Sequence, residues 1–357
     1  MLFFSRKEYE AKRTYTEDKA KEEITCEKKK IEREEKQYYM KLYVIGNGFD
    51  LHHGIQSSYF NFKDFLEEND PDVYNVVDTY LGNVEDFWWD FEKNLTLLDE
   101  DQILDHASNY LVSYGVDDWS DANHHDYQYE ISRIIEPLTS GLKQNFVDWV
   151  LQIEIQHKKN QMLDLEKESL FFSFNYTSTL EKLYQIKNAN IKHIHGKAIN
   201  SDSDLILGHD YKKPNNKPDL EKIRRELGEE VYNEYLEELN GEDVRVTEGY
   251  DIINSYFTDT YKPTSDIIKE NKAFFAKMKN IDEIIILGHS LEDVDIPYFE
   301  KIFKSVNNLK AKWTVSYHNE KHIPKHRQAL KNIGIKDKQI NNVRMDYFYP
   351  TKGVLFG

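Results

Sequence analysis

The stretch Lys41-Leu42-Tyr43-Val44-Ile45-Gly46-Asn47-Gly48-Phe49-Asp50 passes from an apolar run to a pair of glycines. This predicts a buried strand that hands the chain to a tight turn. Glycine lets main-chain N–H groups approach an anion with no Cβ in the way, and a helix that starts there adds favourable partial charge. A nucleotide pyrophosphate is the expected ligand of such a turn. A strand-to-helix turn that binds nothing is the plainer reading of the same two glycines.

Outward from this stretch, compact apolar runs at 170–174, 191–194, 205–207, 284–287 and 313–317 predict further strands. Helical spacing of apolar residues recurs at 59–66, 179–184, 267–278 and 298–303. Strands alternating with helices imply a mostly parallel sheet covered on both faces. The expected fold is α/β, Rossmann-like and doubly wound, with large helical insertions. Residues 1–39, dense in both charges, read as a helical or disordered extension. The α/β domain is expected over 40–357, with a helical insertion at about 66–168 and a polar insertion at about 211–275. Phe87, Trp88, Trp89 and Phe91 in the first insertion are expected in a core.

The 357 residues carry a formal net charge of -17, so binding to a phosphate backbone is disfavoured unless a local basic face overrides the global field. The single cysteine, Cys26, excludes a disulfide framework and a cysteine-cluster zinc site. No run is apolar enough to span a bilayer, and Met1-Leu2-Phe3-Phe4 meets charge too soon for a secretory signal. A cytoplasmic protein with no membrane partner is expected.

Strand after strand ends in a glycine-containing or polar signature. After Gly46-Asn47-Gly48-Phe49-Asp50 come Asn175-Tyr176-Thr177, His195-Gly196, Gly208-His209-Asp210 and Gly288-His289-Ser290. In open α/β sheets ligands bind outside the carboxyl ends of the strands, so these segments are expected to converge. A conventional dehydrogenase turn is excluded because Leu51 stands at the third glycine position, and no lysine followed by Ser or Thr closes a Walker-type loop.

The segments "IGNGFDLHHG", "FNYT", "HIHG", "ILGHD" and "LGHSLEDVD" together resemble the AbiH family of bacteriophage abortive-infection proteins. Their order is also similar, more distantly, to the sirtuin-like superfamily of NAD-binding domains. The second resemblance implies that Gly46 and Gly48 hold a pyrophosphate and that Asn175 faces the nicotinamide ribose. It further implies that His195 is the catalytic base and that Gly288 and Ser290 contact the ribose. Asn47, Phe49, Asp50, Tyr176, Thr177, Gly196, His209 and His289 complete the expected lining. One cysteine cannot build the four-cysteine zinc module of sirtuin deacetylases, and Asn175-Tyr176-Thr177 replaces their Asn-Ile-Asp. Peptide deacetylation is therefore not expected, whereas hydrolysis of NAD or a related nucleotide is, with the nucleotide as substrate and no prosthetic group. The AbiH resemblance implies a role in limiting phage growth, and a homo-oligomer or a phage-derived trigger is compatible with it.

Plainer and rival readings stand beside these. Asn175 would also cap the helix expected near Thr179, His195 would also serve as a hydrogen-bonded core histidine, and Asp50 would also hold the glycine turn. His52 and His53 read as structural or exposed. His193 and His195 alternate along an expected strand, and with His209, His289 and Asp50 they would form a divalent metal site for phosphohydrolase or nuclease chemistry. A third reading is a nucleotide sensor without turnover in a defence assembly.

Overall fold

The computed structural model describes residues 41–82, 86–112, 125–156, 161–214, 220–232, 243–306 and 309–350. The expected extension at 1–39 lies outside them.

The apolar runs form one sheet from β1 (Lys41–Ile45), β2 (Leu170–Ser173), β3 (Ile191–His193), β4 (Glu283–Leu287), β5 (Lys312–Tyr317) and β6 (Ile340–Arg344). Every pairing is parallel, and the order is β3-β2-β1-β4-β5-β6. The direction of winding reverses between β1 and β4, which makes the crevice at their carboxyl ends the place where doubly wound folds bind ligands. Period-two alternation divides the strands between two cores. Leu42, Val44, Leu170, Phe172, Ile284 and Ile286 share one with Trp313, Tyr298 and Phe299, while Tyr43, Ile45, Phe171, Ile285 and Leu287 share the other with Leu180 and Tyr184.

A third core belongs to the helices between β1 and β2, joined by the helix Val244–Asp259. Local chemistry sets their starts. Ser58 and Asn61 form a reciprocal capping box at Tyr59–Asn69, and Asp70 accepts from Val73 N at 3.2 Å to open Pro71–Tyr80. Gly249 lets Val244–Asp259 approach Asp126–Glu136 so closely that an added Cβ would lie 2.5 Å from Tyr127 Cε1. Among the described residues no helix is long and apolar enough to cross a membrane.

Three expectations are corrected. Residues 205–207 are no strand, because the sheet ends at β3 and this run meets the preceding turn through Ile206 N to His195 O at 2.9 Å. The helix expected over 267–278 is divided into Thr264–Glu270, Lys272–Ala276 and a 3₁₀ turn at Lys277–Asn280. Phe87, Trp88 and Phe91 are buried, but Trp89 is 69 % exposed. The sequence reading also missed β6, whose Ile-Asn-Asn-Val-Arg has little strand propensity. It is an edge strand, and Arg327 covers part of its main chain by donating to Ile340 O at 3.2 Å and to Asn342 Oδ1 at 2.9 Å.

Candidate functional site

The turns after β1 and β4 interlock. Gly46 N donates to Leu287 O at 3.0 Å and Gly48 N to Gly288 O at 2.8 Å. A Cβ on Gly46 or Gly48 would lie 2.7 or 2.8 Å from Gly288 O, and one on Gly288 would lie 2.1 Å from Phe49 N. The space that these glycines leave is thus filled by main chain of the facing turn, which accounts for all three without a ligand. Asn47 is exposed and exchanges hydrogen bonds with Ser57, while Phe49 is fully buried against His53 and Tyr184. Ser290 is exposed.

Beside the interlocked turns lies a buried polar group built on Asp50. Its Oδ2 accepts from Thr177 Oγ1 at 2.5 Å, whereas its Oδ1 and Asn175 Nδ2 make no hydrogen bond among the described residues. Burial pushes the Asp50 carboxyl up from its ordinary value, and the polar side chains of Thr177, Thr179 and Asn175 around it oppose the rise. The capping reading of Asn175 fails: the N-cap of Thr179–Tyr184 is Ser178. Asn175 O instead accepts from His193 Nδ1 at 2.9 Å.

The expected pairing of His193 with His195 is also corrected. β3 ends at His193, and the chain turns before His195, so the alternation on which a shared face depends is lost. His193 Nε2 lies 3.2 Å from Glu181, whereas His195 faces Asp295. Among the described residues no group of three or more His, Cys, Asp or Glu is placed to hold a metal ion.

His195 belongs to a second buried cluster that sequence reading found only in part. His195 Nε2 and His289 Nε2 approach the Asp295 carboxylate at 3.9 and 3.4 Å. His289 Nδ1 accepts from Leu291 N at 2.9 Å, which leaves Nε2–H to point at Asp295. Lys262, 1 % exposed, sits 3.8 Å from Asp295 and pairs closely with Glu92. Tyr59 donates to the other Glu92 oxygen at 2.5 Å. The ring of Phe174 packs on both histidines, 5.4 Å from His195 and 4.3 Å from His289.

The protonation states follow from this packing. Burial drives the His195 pKa well below the ordinary histidine value, with Lys262 adding to the shift, so its imidazole is neutral near pH 7. Burial alone would lower Lys262 and raise Asp295. The carboxylates of Glu92 and Asp295 more than offset this for Lys262, and Lys262 and His289 do so for Asp295. Both stay ionised. Lys262 thus stands between the carboxyl groups of Glu92 and Asp295 in a water-poor setting.

Of the remaining expected residues, Tyr176 reaches the His195 turn and donates to Ile206 O at 2.8 Å. Gly196, at φ +88, lets that turn pack on Asp204. His209 stands one step away: its main chain accepts from Lys262 N at 2.7 Å and donates to Thr260 O at 3.0 Å, which fixes the segment that carries Lys262. Glu92, Lys262 and Tyr59 went unnoticed in the sequence because no motif surrounds them. Asp295 had a signal, as the last residue of "LGHSLEDVD".

A family model described as bacteriophage abortive infection AbiH matches residues 42–317, a span that includes both clusters. The chain belongs to the AbiH family. No curated protein matches it. Membership carries a role in phage abortive infection, and the matched span ends at the last residue of β5.

One property of this AbiH chain is testable by pH alone. Burial tends to raise Glu181, yet hydrogen bonds from His193 and Lys197 hold it down at about 2. A depressed carboxyl stabilises the fold fully above its unfolded value of 4.5, and this contribution is lost as pH falls toward about 2. Melting temperature is expected to fall across that interval, and the Glu181→Gln variant to show a shallower acid slope. Equal slopes in the two proteins would remove Glu181 from the account.

Proposed function

We propose that this AbiH protein acts in abortive infection by hydrolysing NAD or a related nucleotide at the nicotinamide–ribose bond. The observation that supports the reading is one pair of atoms: His195 Nε2 and Asp295 Oδ1, buried, without hydrogen-bond partners among the described residues, and 3.9 Å apart. They lie among the turns at the carboxyl ends of the strands. The distant likeness to sirtuin-like domains supports the choice of nucleotide.

Cleavage breaks the bond between ribose C1′ and the pyridinium nitrogen, and the electron pair leaves with nicotinamide. The transition state is cationic at the ribose, as in glycoside hydrolysis. The ionised Asp295 carboxylate favours that cation. A water bonds to C1′ through oxygen and gives its proton to neutral His195, whose lowered pKa keeps it able to accept. Asn175 Nδ2, beside the Asp50 carboxyl, donates to a ribose hydroxyl. Asn175, His195 and Lys262 are buried while Glu92 and Asp295 keep partial exposure, so entry of a nucleotide requires the segments bearing Lys262 and Glu92 to part from the strand ends.

The test is incubation of the purified protein with NAD, NADP and ATP, followed by chromatography of products. Nicotinamide release is expected, insensitive to chelators, and reduced about a hundredfold or more in His195→Ala and Asp295→Asn. Release that is unchanged in Asp295→Asn would refute the assignment. Binding without turnover would favour the sensor, and loss of activity on chelation would favour the metal-dependent hydrolase.

A further inference from the structure

A parallel sheet gathers all its helix-to-strand connections at the amino-terminal rim, opposite the site described above. On the β1–β3 half of this rim, charge is balanced locally: Lys41 lies 3.0 Å from Glu166, and Lys187 lies 3.2 Å from Glu168. The β4–β6 half differs. The connection into β4 carries Lys277 and Lys279, the one into β5 Lys310 and then Lys312, and the one into β6 Lys336 and Lys338. All six are exposed.

None of these six lysines has a carboxylate within ion-pairing distance among the described residues. Of the carboxylates there, Glu283 is 3.7 Å from Lys41 and Asp337 is 2.9 Å from Arg327, and Asp282 makes no ion pair with any of the six among the described residues. The positive charge of these three connections is therefore not neutralised by ion pairs among the described residues. This occurs in a chain whose net charge is -17.

We infer that the amino-terminal rim of β4, β5 and β6 is a docking surface for the phosphate backbone of a nucleic acid. Neighbouring strands stand about 4.8 Å apart, so the three connections spread their ammonium groups over a width of roughly 10 Å or more. Duplex nucleic acid presents about one negative charge per 1.7 Å of axis, enough to meet several of these groups at once. The negative remainder of the chain repels the same polyanion, which orients approach to this rim. Contacts of this kind carry affinity without reading sequence. The surface is independent of the proposed hydrolytic site, which lies at the other rim.

The experiment is fluorescence polarisation of the full chain with a labelled RNA and a labelled DNA duplex at about 50 and about 200 mM salt. Binding is expected at the lower salt and is expected to weaken steeply at the higher. The combined variant Lys310→Glu, Lys312→Glu, Lys336→Glu, Lys338→Glu is expected to keep the melting temperature, to lose at least about tenfold in affinity, and to flatten the salt slope by about three or more. Lys187→Glu, on the balanced half, is expected to bind as the parent does. Absence of binding at low salt, or equal binding by the four-site variant, overturns the inference. Capture by anionic phospholipid vesicles without binding to either nucleic acid overturns it too, because the partner would then be a membrane surface.

Discussion

Lys262→Met is expected to destabilise the protein by about 3–5 kcal/mol, the usual cost of leaving a buried charge without its partner. Lys262 is 1 % exposed and is the cation between Glu92 and Asp295. Without it no cation stands between the two carboxyl groups. The pKa of the Asp295 carboxyl would then rise in the folded state, because Lys262 is the largest of the influences that hold it down. A carboxyl raised on folding weakens the fold above its unfolded value and less so as pH falls, so the deficit of the variant should shrink in mild acid. Chemical denaturation at neutral and acid pH measures both effects. The double variant Lys262→Met with Glu92→Gln should recover part of the loss, because each replacement removes one member of an opposed pair. A loss below about 1 kcal/mol in the single variant would mean that water already reaches these groups and that the cluster is not dry.

Gly288→Ala is the second large effect, expected to cost more than about 3 kcal/mol. Its φ of +67 puts an L-residue in the left-handed region, a strain of about 1–2 kcal/mol. Its added Cβ would also lie 2.1 Å from Phe49 N and 2.3 Å from Gly48 C, main-chain atoms held by the β1 turn. Such overpacking adds about 1–3 kcal/mol. Gly228 offers the control: its φ is +93, but nothing lies within 4 Å of the added Cβ, so Gly228→Ala carries the strain alone. If the two variants melt together, the interlocking of the β1 and β4 turns contributes nothing to stability.

The contrast between these glycines shows what the turn is for. The same Gly46-Asn47-Gly48 that suggests a pyrophosphate cradle is accounted for by close packing on Gly288. A glycine pattern reports that something approaches the backbone closely, and whether that is a phosphate or another turn is a matter of tertiary contact. The candidate chemistry moves accordingly, away from the glycines and toward His195, His289 and Asp295. Two of those three were marked in the sequence by their neighbours, His195 by Gly196 and His289 by Gly288. Glu92 and Lys262 were not, since each stands in a segment whose composition only says helix or polar surface.

The metal reading illustrates the limit of periodicity. Alternation of His193 and His195 puts two side chains on one face only while the strand lasts, and β3 stops at the first of them. Strand length is set by pairing with β2, which supplies just Phe171, Phe172 and Ser173 as partners. That is long-range information, invisible in the run Ile191-Lys192-His193-Ile194-His195 itself.

By itself the sequence determined the α/β class, five of the six strands, the first-insertion core apart from Trp89, and the polar turns at the strand ends. All of these follow from local apolar periodicity and turn chemistry, which act over a few residues. Only the tertiary structure decided the strand order, the edge strand β6, the union of Glu92, Lys262 and Asp295 around neutral His195, and the gathering of lysines at the opposite rim. Those features depend on which distant segments come into contact, and burial, charge compensation and close packing exist only once they do.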